Sequence, residues 1–285
     1  MDSFLAGNIA GMIADLVTHP IGTIKTRLQV QGASSGASLA QYSSIGDAAR
    51  RILAAGGVGA LYQGVGVVVA TAAPAQGLFF LGNDLSRAML APHCSPAATN
   101  FASGFFAQLC GSLLWVPMDT IKERLQIEGQ LRSSGGEVLG SSWGAVAKIV
   151  RAEGVRGFYP AYWIHQATWA PFNGLYFSIY EACKEAADRR GWPAWPCGIV
   201  AGVVAGAATN PMDLVKTRLQ VARADPATFQ YAGALDCAAA IIKREGPLAL
   251  LDGAVARCCT VTPRLTICVL AKDAIMPHLG DLACS

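Results

Sequence analysis

Apolar residues run along this chain in six long stretches, near residues 4–30, 61–90, 98–127, 159–188, 195–221 and 253–278. Each reaches the roughly 20 residues that a helix needs to cross a bilayer. Between the first and second, third and fourth, and fifth and sixth stretches lie polar connections with a short amphipathic pattern: "YSSIGDAARRILAAGG", "SSWGAVAKIVRAEG" and "YAGALDCAAAIIKREG". Tyr42 and Asp47 of the first match Tyr231 and Asp236 of the third in spacing, and the second lacks both. The pattern predicts an all-α membrane protein of six spans with a short helix inside each connection.

Each stretch holds a proline, and the prolines fall into two series: Pro20, Pro117 and Pro211, then Pro74, Pro171 and Pro263. Successive members stand a little under a hundred residues apart, which divides one domain, 1–285, into repeats 1–93, 94–190 and 191–285. A proline within a helix removes a backbone hydrogen bond and crowds the preceding turn, so every span is expected to kink. Six kinked helices can form a basket. Gly198, Gly202 and Gly206, and Gly7 with Gly11, supply GxxxG steps that suit close helix packing.

The charges are placed unusually. Only 14% of the 285 residues are charged and 53% are hydrophobic, well below the roughly 25% charged fraction of a soluble domain. Yet "PIGTIKTRLQ" at 20–29, "PMDTIKERLQ" at 117–126 and "PMDLVKTRLQ" at 211–220 concentrate ions inside apolar spans. The net charge of +3 is small and the bases do not alternate with aromatics, so no nucleic-acid partner is expected. The nine cysteines show no CxxC pair, which argues against a disulfide framework or a zinc site. The N-terminal "MDSFLAGNIAGM" lacks the basic character of a signal peptide and the Arg/Ser-rich character of a presequence, so any targeting signal is expected within the mature chain. Basic residues near the three connections place these loops on one side of the membrane.

The threefold Pro-x-Asp-x-x-Lys-x-Arg-x-Gln pattern, with two spans per repeat, resembles the mitochondrial carrier family over essentially the whole chain. The resemblance implies six tilted helices in a threefold pseudosymmetric barrel, carrying a solute across the inner mitochondrial membrane by alternating access. It implies a matrix gate of interhelical salt bridges from Asp119 and Asp213 to Lys25, Lys122 and Lys216, braced by Gln29, Gln126 and Gln220. Ion pairs suit a gate because an unpaired charge in a low-dielectric setting is costly, so bridges define discrete states. Gly22 stands where the first repeat should carry an acid, so one bridge is missing and Lys25 is the lysine expected to lack its partner. On the cytosolic side the resemblance implies a second gate from Tyr180, Glu181 and Lys184, from Asp84 and Arg87 with Asn83 in the aromatic place, and from Asp273 with Met276 in place of a base. The family's aromatic-basic-Gly element appears only as "YQG", "YPA" and "LDG", which bears on its cardiolipin contacts. No cofactor and no metal site is expected; the expected partners are a solute and membrane lipid, cardiolipin among them, with the carrier a monomer.

Substrate contacts in such carriers gather at mid-membrane. Thr71, Thr168 and Thr260 each stand three residues before an even-span proline and form an uncharged polar ring, unless each hydroxyl bonds back to its own helix. Asp15 and Arg264, the latter one turn beyond Thr260, offer an anion for an ammonium and a guanidinium for a carboxylate. Trp169 could hold an apolar group or stack on a cation, and His165 could titrate near neutral pH; packed or structural roles compete for both. A small zwitterion such as a neutral amino acid is the expected cargo, since "TWAPFN" and "ARCCTVTPR" resemble a branched-chain amino-acid-like subgroup. A cationic solute resembling S-adenosylmethionine and a metal ion are the alternatives, the first from "DLVTHPIGTIKTRLQ", the second from "APAQGLFF". Two further classes are a membrane-embedded enzyme around Asp15 and His165, for which no phosphate loop, HExxH or nucleophile elbow is present, and a soluble helical scaffold, which would need polar outer faces.

Overall fold

The structure, a computed structural model, describes residues 2–33, 41–132, 140–193, 195–224 and 229–267, and the expected gate residues Asp273 and Met276 lie outside this set. The described residues are helical, without strands. Long helices α1 (Asp2–Val30), α3 (Val65–Leu90), α4 (Pro96–Arg132) and α6 (Tyr162–Asp188) form the first four spans. The fifth is made of α7 (Trp195–Ala208) and α8 (Asn210–Ala222), and the described part of the sixth is α10, residues 254–267. Short helices α2 (Ile45–Gly56), α5 (Ser142–Glu153) and α9 (Ala234–Arg244) occupy the three connections, where the sequence pattern put them.

The prolines stand in two kinds of setting. Pro20, Pro74, Pro117 and Pro171 sit inside uninterrupted helices. Pro263 likewise lies within α10. Among the described residues the fifth span alone is broken, with a bend of 62° between its halves. Its break has a second cause beside Pro211: Arg257 reaches in from α10 and donates to the backbone oxygen of Thr209 at 3.1 Å and to its Oγ1 at 2.9 Å. A side chain that competes for the carbonyl ladder is a recognised origin of a sharp bend.

Among the described residues two helices are long and apolar enough to cross a membrane, Val58–Leu90 and Phe101–Glu128, and a third if the bent pair counts as one span. The outer face of α1 still carries exposed Ile9, Ile13, Leu16 and Val17, and α4 exposes Phe101, Phe105 and Phe106. What dilutes the apolar character of α1 is its inner face, with Asp15, Thr18, His19, Thr23, Thr26 and Gln29. Polar side chains turned inward and apolar ones outward describe helices that keep their polar faces away from lipid, here mostly buried against one another with Asp15 partly exposed.

The barrel closes through α3 on α4, α6 on α7 and α10 on α1, where Ala256 joins Ile24 and Leu28 in one apolar cluster. At one end α1, α4 and α8 meet pairwise. Gly202 faces α10 so closely that a Cβ would come within 2.8 Å of the Thr262 hydroxyl, and Gly82 faces Cys110 of α4 at 2.7 Å. The first contact uses the GxxxG series; the second has no such signature. At Gly11 nothing lies within 4 Å of an added Cβ, so this glycine makes no close contact, and the surroundings of Gly7 are outside the description.

The connections are capped as polar helix starts should be. Ser44 Oγ accepts from the Asp47 amide at 3.1 Å, and Asp47 accepts from the Ser43 amide at 3.1 Å, which holds its carboxyl below the usual range. Asp236 accepts from the Ala232 amide in the same way, and Ser141 caps α5 instead. After each short helix a glycine with positive φ turns the chain: Gly57 (64°), Gly154 (66°) and Gly246 (91°). Burial of Cys237 on α9 pushes its thiol pKa up to about 12. Because the thiolate is the reacting species, Cys237 should stay unlabelled by maleimide at pH 8 in the folded carrier while exposed Cys94 is modified; mass mapping of the adducts checks this.

Candidate functional site

Where α1, α4 and α8 converge, the three signature segments form a closed charged ring. Lys25 of α1 meets Asp213 of α8 at 2.5 Å, and Lys216 of α8 meets Asp119 of α4 at 2.9 Å. The cyclic order therefore runs from an acid on one odd helix to the lysine on the next, and position 22 is the one that would face Lys122. Gly22 offers no carboxylate, so Lys122 turns back one turn along its own helix to Asp119, at 2.7 Å. Lys122, not Lys25, is thus the lysine without an acid across the interface. The expectation named the wrong lysine because the absence of an acid in the sequence does not reveal which way round the ring the pairs run.

The glutamines diverge for the same reason. Gln29 donates to Asp213 at 3.0 Å, beside the Lys25 bridge. Gln126, whose neighbouring bridge is absent, accepts from Thr26 at 2.8 Å. Gln220, with its amide nitrogen turned toward α4, donates to Glu123 at 2.6 Å. Glu123 is 2% exposed and lies 3.7 Å from Lys216, a fourth carboxylate-to-lysine approach that reading only the repeated acid position overlooks.

A second tier, also unforeseen, uses the signature arginines. Arg27 Nε donates to the backbone carbonyl of Gln126 at 2.8 Å, Arg124 Nε to that of Gln220 at 3.1 Å, and Arg218 Nε to that of Gln29 at 2.9 Å. Each arginine so ties its helix to the next in a closed cycle. Arg124 is further held by Glu153 at 2.5 Å and Arg218 by Glu245, the acids that precede the turn glycines Gly154 and Gly246. The first repeat has Gly56 at that place, and Arg27 takes the Gln63 amide oxygen at 3.3 Å instead. The repeated "RLQ" and "EG" were the available signals.

Gly22 leaves room for a remedy, since an added Cβ would meet nothing within 4 Å. Gly22→Asp is expected to bridge to Lys122 and stabilise the purified carrier by roughly 1 kcal/mol, because the lysine is partly hydrated, and so to raise its Tm. Thermal unfolding of the two proteins in detergent reads the change.

Farther along the interior, Asp15 of α1 and Arg264 of α10 pair with each other through a short guanidinium–carboxylate contact. Their side chains are 23% and 40% exposed, and Asp15 lies on the opposite side of α1 from lipid-facing Ile13 and Val17. The threonines behave as back-bonded residues: Thr71, Thr168 and Thr260 each donate at 2.7 Å to the carbonyl four residues earlier. Their hydroxyl protons are spent, so they can only accept further bonds, and Thr168, fully buried, is withdrawn from the interior while Thr71 and Thr260 are half-buried.

His165 departs furthest from its expected place. It is 2% exposed, its Nδ1 lies 3.7 Å from Asp119, and neither ring nitrogen has a hydrogen-bond partner, so it belongs to the charged ring. Trp169 stands edge-on to Phe172 at 5.4 Å and begins an aromatic row continued by Tyr176 and Tyr180. Gly198 packs against the Tyr176 hydroxyl, so the row meets α7 at that residue. At the opposite end Asp84, Arg87 and Glu181 are exposed and Lys184 half-buried, and among the described residues Asp84, Glu181 and Lys184 form no ion pair.

A barrel of polar-lined helices, sealed at one end by interhelical ion pairs, is the architecture of a membrane transporter. The sequence profile described as "Mitochondrial carrier protein" matches residues 1–93, 94–191 and 188–282, and the chain belongs to the mitochondrial carrier family. It is accordingly a multi-pass solute carrier of the mitochondrial inner membrane. It is 32% identical to "Mitochondrial substrate carrier family protein E" of Dictyostelium discoideum, over 98% of this chain and 96% of that one. It is 33% identical to "S-adenosylmethionine carrier 1, chloroplastic/mitochondrial" of Arabidopsis thaliana, over 88% of this chain and 71% of that one. To human "Mitochondrial glutamate carrier 1" it is 28% identical, over 90% and 88%.

Proposed function

We propose that this carrier moves a small solute bearing an α-amino-acid head, by alternating access, with the α1–α4–α8 ring as its matrix gate and the Asp84, Arg87, Tyr180, Glu181 and Lys184 end open to the cytosol. The observation that carries the substrate class is the Asp15–Arg264 pair, partly exposed to the interior between the first and sixth spans. An ammonium-carboxylate head can part this pair and replace it with two, ammonium on Asp15 and carboxylate on Arg264, so that no charge is stranded at any stage. Guanidinium and carboxylate match in a planar, two-point geometry, which makes that half of the contact selective. Half-buried Thr71 and Thr260 support the reading, because hydroxyls that can only accept suit an ammonium or sulfonium better than an anion, whereas Thr168 is fully buried and takes no part. In this reading half-buried Trp169 covers an apolar or cationic side group.

Relatives named for S-adenosylmethionine and for glutamate fit this class, since both solutes contain the α-amino-acid group. The reading unites the neutral amino acid and the cationic cofactor as variations on one head group. A ligand that binds only the folded state raises its apparent stability. Thermal unfolding of the purified carrier with glutamate, 2-oxoglutarate and 4-aminobutyrate, and with S-adenosylmethionine, therefore tests it. Tm should rise with at least one of the two α-amino acids and with neither the keto acid nor the amine lacking an α-carboxylate. A rise with 2-oxoglutarate alone would refute the reading.

A further inference from the structure

Six residues before each even-span proline stands a different residue: Val68 before Pro74, His165 before Pro171 and Arg257 before Pro263. Against these, the odd helix of the same repeat carries Gly22, Asp119 and Asp213. Where the ring position has an acid, the even helix has a nitrogen base; where it has glycine, the even helix has an apolar side chain. The geometry follows the same pairing. Arg257 Nη1 lies 3.2 Å from Asp213 and His165 Nδ1 lies 3.7 Å from Asp119, while Val68 is buried. Arg257 is itself 2% exposed, with the Phe172 ring 5.8 Å from its guanidinium carbon, and its Nε has no partner.

We infer that these positions hold companion bases for the ring acids, with Arg257 and His165 acting as positioning residues that retain Asp213 and Asp119 when the gate opens. This rests on the gate reading above. Opening must separate Lys25 from Asp213 and Lys216 from Asp119, since each pair joins two repeats. It need not separate Arg257 from Asp213 or His165 from Asp119, since each of these belongs to one repeat. A carboxylate released from its lysine inside the membrane would otherwise stand unpaired, at a penalty that would lock the gate. Arg257 already shares Asp213 with Lys25 and is braced by Thr209 at the break of the fifth span. His165 sits just beyond hydrogen-bond distance from Asp119 with its ring nitrogens unused, and Lys122 gives the same acid an additional partner on its own helix. The first repeat has no acid to retain and needs no companion.

Breaking the Lys25 bridge chemically imitates one step of opening, and thermal unfolding of the purified full chain then reads who holds Asp213 without any need for cargo. Lys25→Gln alone is expected to lower Tm; an unchanged Tm would instead remove the gate reading on which this inference stands. Given a lowered Tm, adding Arg257→Gln should cost more than the sum of the two single losses, and Arg257→Lys in the Lys25→Gln background should restore most of that excess. Adding Asp213→Asn to the Lys25→Gln/Arg257→Gln pair should raise Tm, because the stranded carboxylate is gone. Should the pair fail to fold, the same triple variant is expected to fold. Additive losses with no recovery on Asp213→Asn would mean that Arg257 serves only the Thr209 bend, and would overturn the inference.

Discussion

Asp213→Asn is expected to be the most damaging single exchange in the ring, lowering stability by about 3 to 5 kcal/mol, the usual loss when one member of a buried ionic cluster is removed. Asp213 has a side chain only 6% exposed and faces three donors: Lys25 at 2.5 Å, Arg257 at 3.2 Å and Gln29 at 3.0 Å. Its neutral isostere leaves two cations buried side by side. Asp119→Asn should be nearly as costly, since Lys122 and Lys216 both converge on it. By contrast, Lys122→Gln should be mild, because Asp119 keeps Lys216. The order Asp213, Asp119, then Lys122 in Tm of the purified variants is the check. The sign for Asp213→Asn reverses once Lys25 and Arg257 are both gone, which separates a loss of charge pairing from a loss of packing.

The second large effect concerns Asp15 and Arg264. Removing one partner of a desolvated charge pair in a binding site costs on the order of 2 to 5 kcal/mol, a loss of about thirtyfold to several thousandfold in affinity. An α-amino-acid cargo requires both residues, so Asp15→Asn and Arg264→Gln should each abolish uptake at substrate concentrations that saturate the wild type. The two variants also differ in a useful way. A cargo with a second cationic centre should still reach Asp15 weakly in Arg264→Gln, whereas Asp15→Asn leaves Arg264 unbalanced and repels it. Initial uptake rates for both variants, at matched insertion into liposomes, read this. Equal and undiminished rates would make the pair a structural clasp between α1 and α10.

Much of the architecture is legible in the chain because it is written three times. Prolines at near-hundred-residue spacing and apolar stretches of membrane length locate the spans, and the amphipathic pattern of each connection locates its short helix. What symmetry predicts, the sequence shows; where symmetry is broken, it does not. Gly22 reveals that an acid is missing, yet only the packing of α1, α4 and α8 shows that Lys122 rather than Lys25 is left over, because the direction of the cycle is a property of three dimensions. The same limit hides the break at Thr209: Pro211 occupies the equivalent place to Pro20 and Pro117, and the difference lies in Arg257, which comes from the next helix. His165 was readable as a titratable residue one turn from Thr168, and that one turn along α6 moves it from the cavity level to the ring. The threonines turned out to donate to their own helix, a local competition that composition cannot decide. Asp15 and Arg264, at opposite ends of the sequence, meet because the barrel closes the first span on the sixth.

Uptake of radiolabelled S-adenosylmethionine, glutamate, leucine, 2-oxoglutarate and ATP into liposomes bearing the purified carrier tests the central claim most directly. The account predicts that at least one of the three α-amino-acid solutes accumulates chemically unchanged, that 2-oxoglutarate and ATP do not, and that Asp15→Asn abolishes the uptake. Transport of 2-oxoglutarate or ATP with all three amino acids excluded, or chemical conversion of a solute without flux, would contradict it.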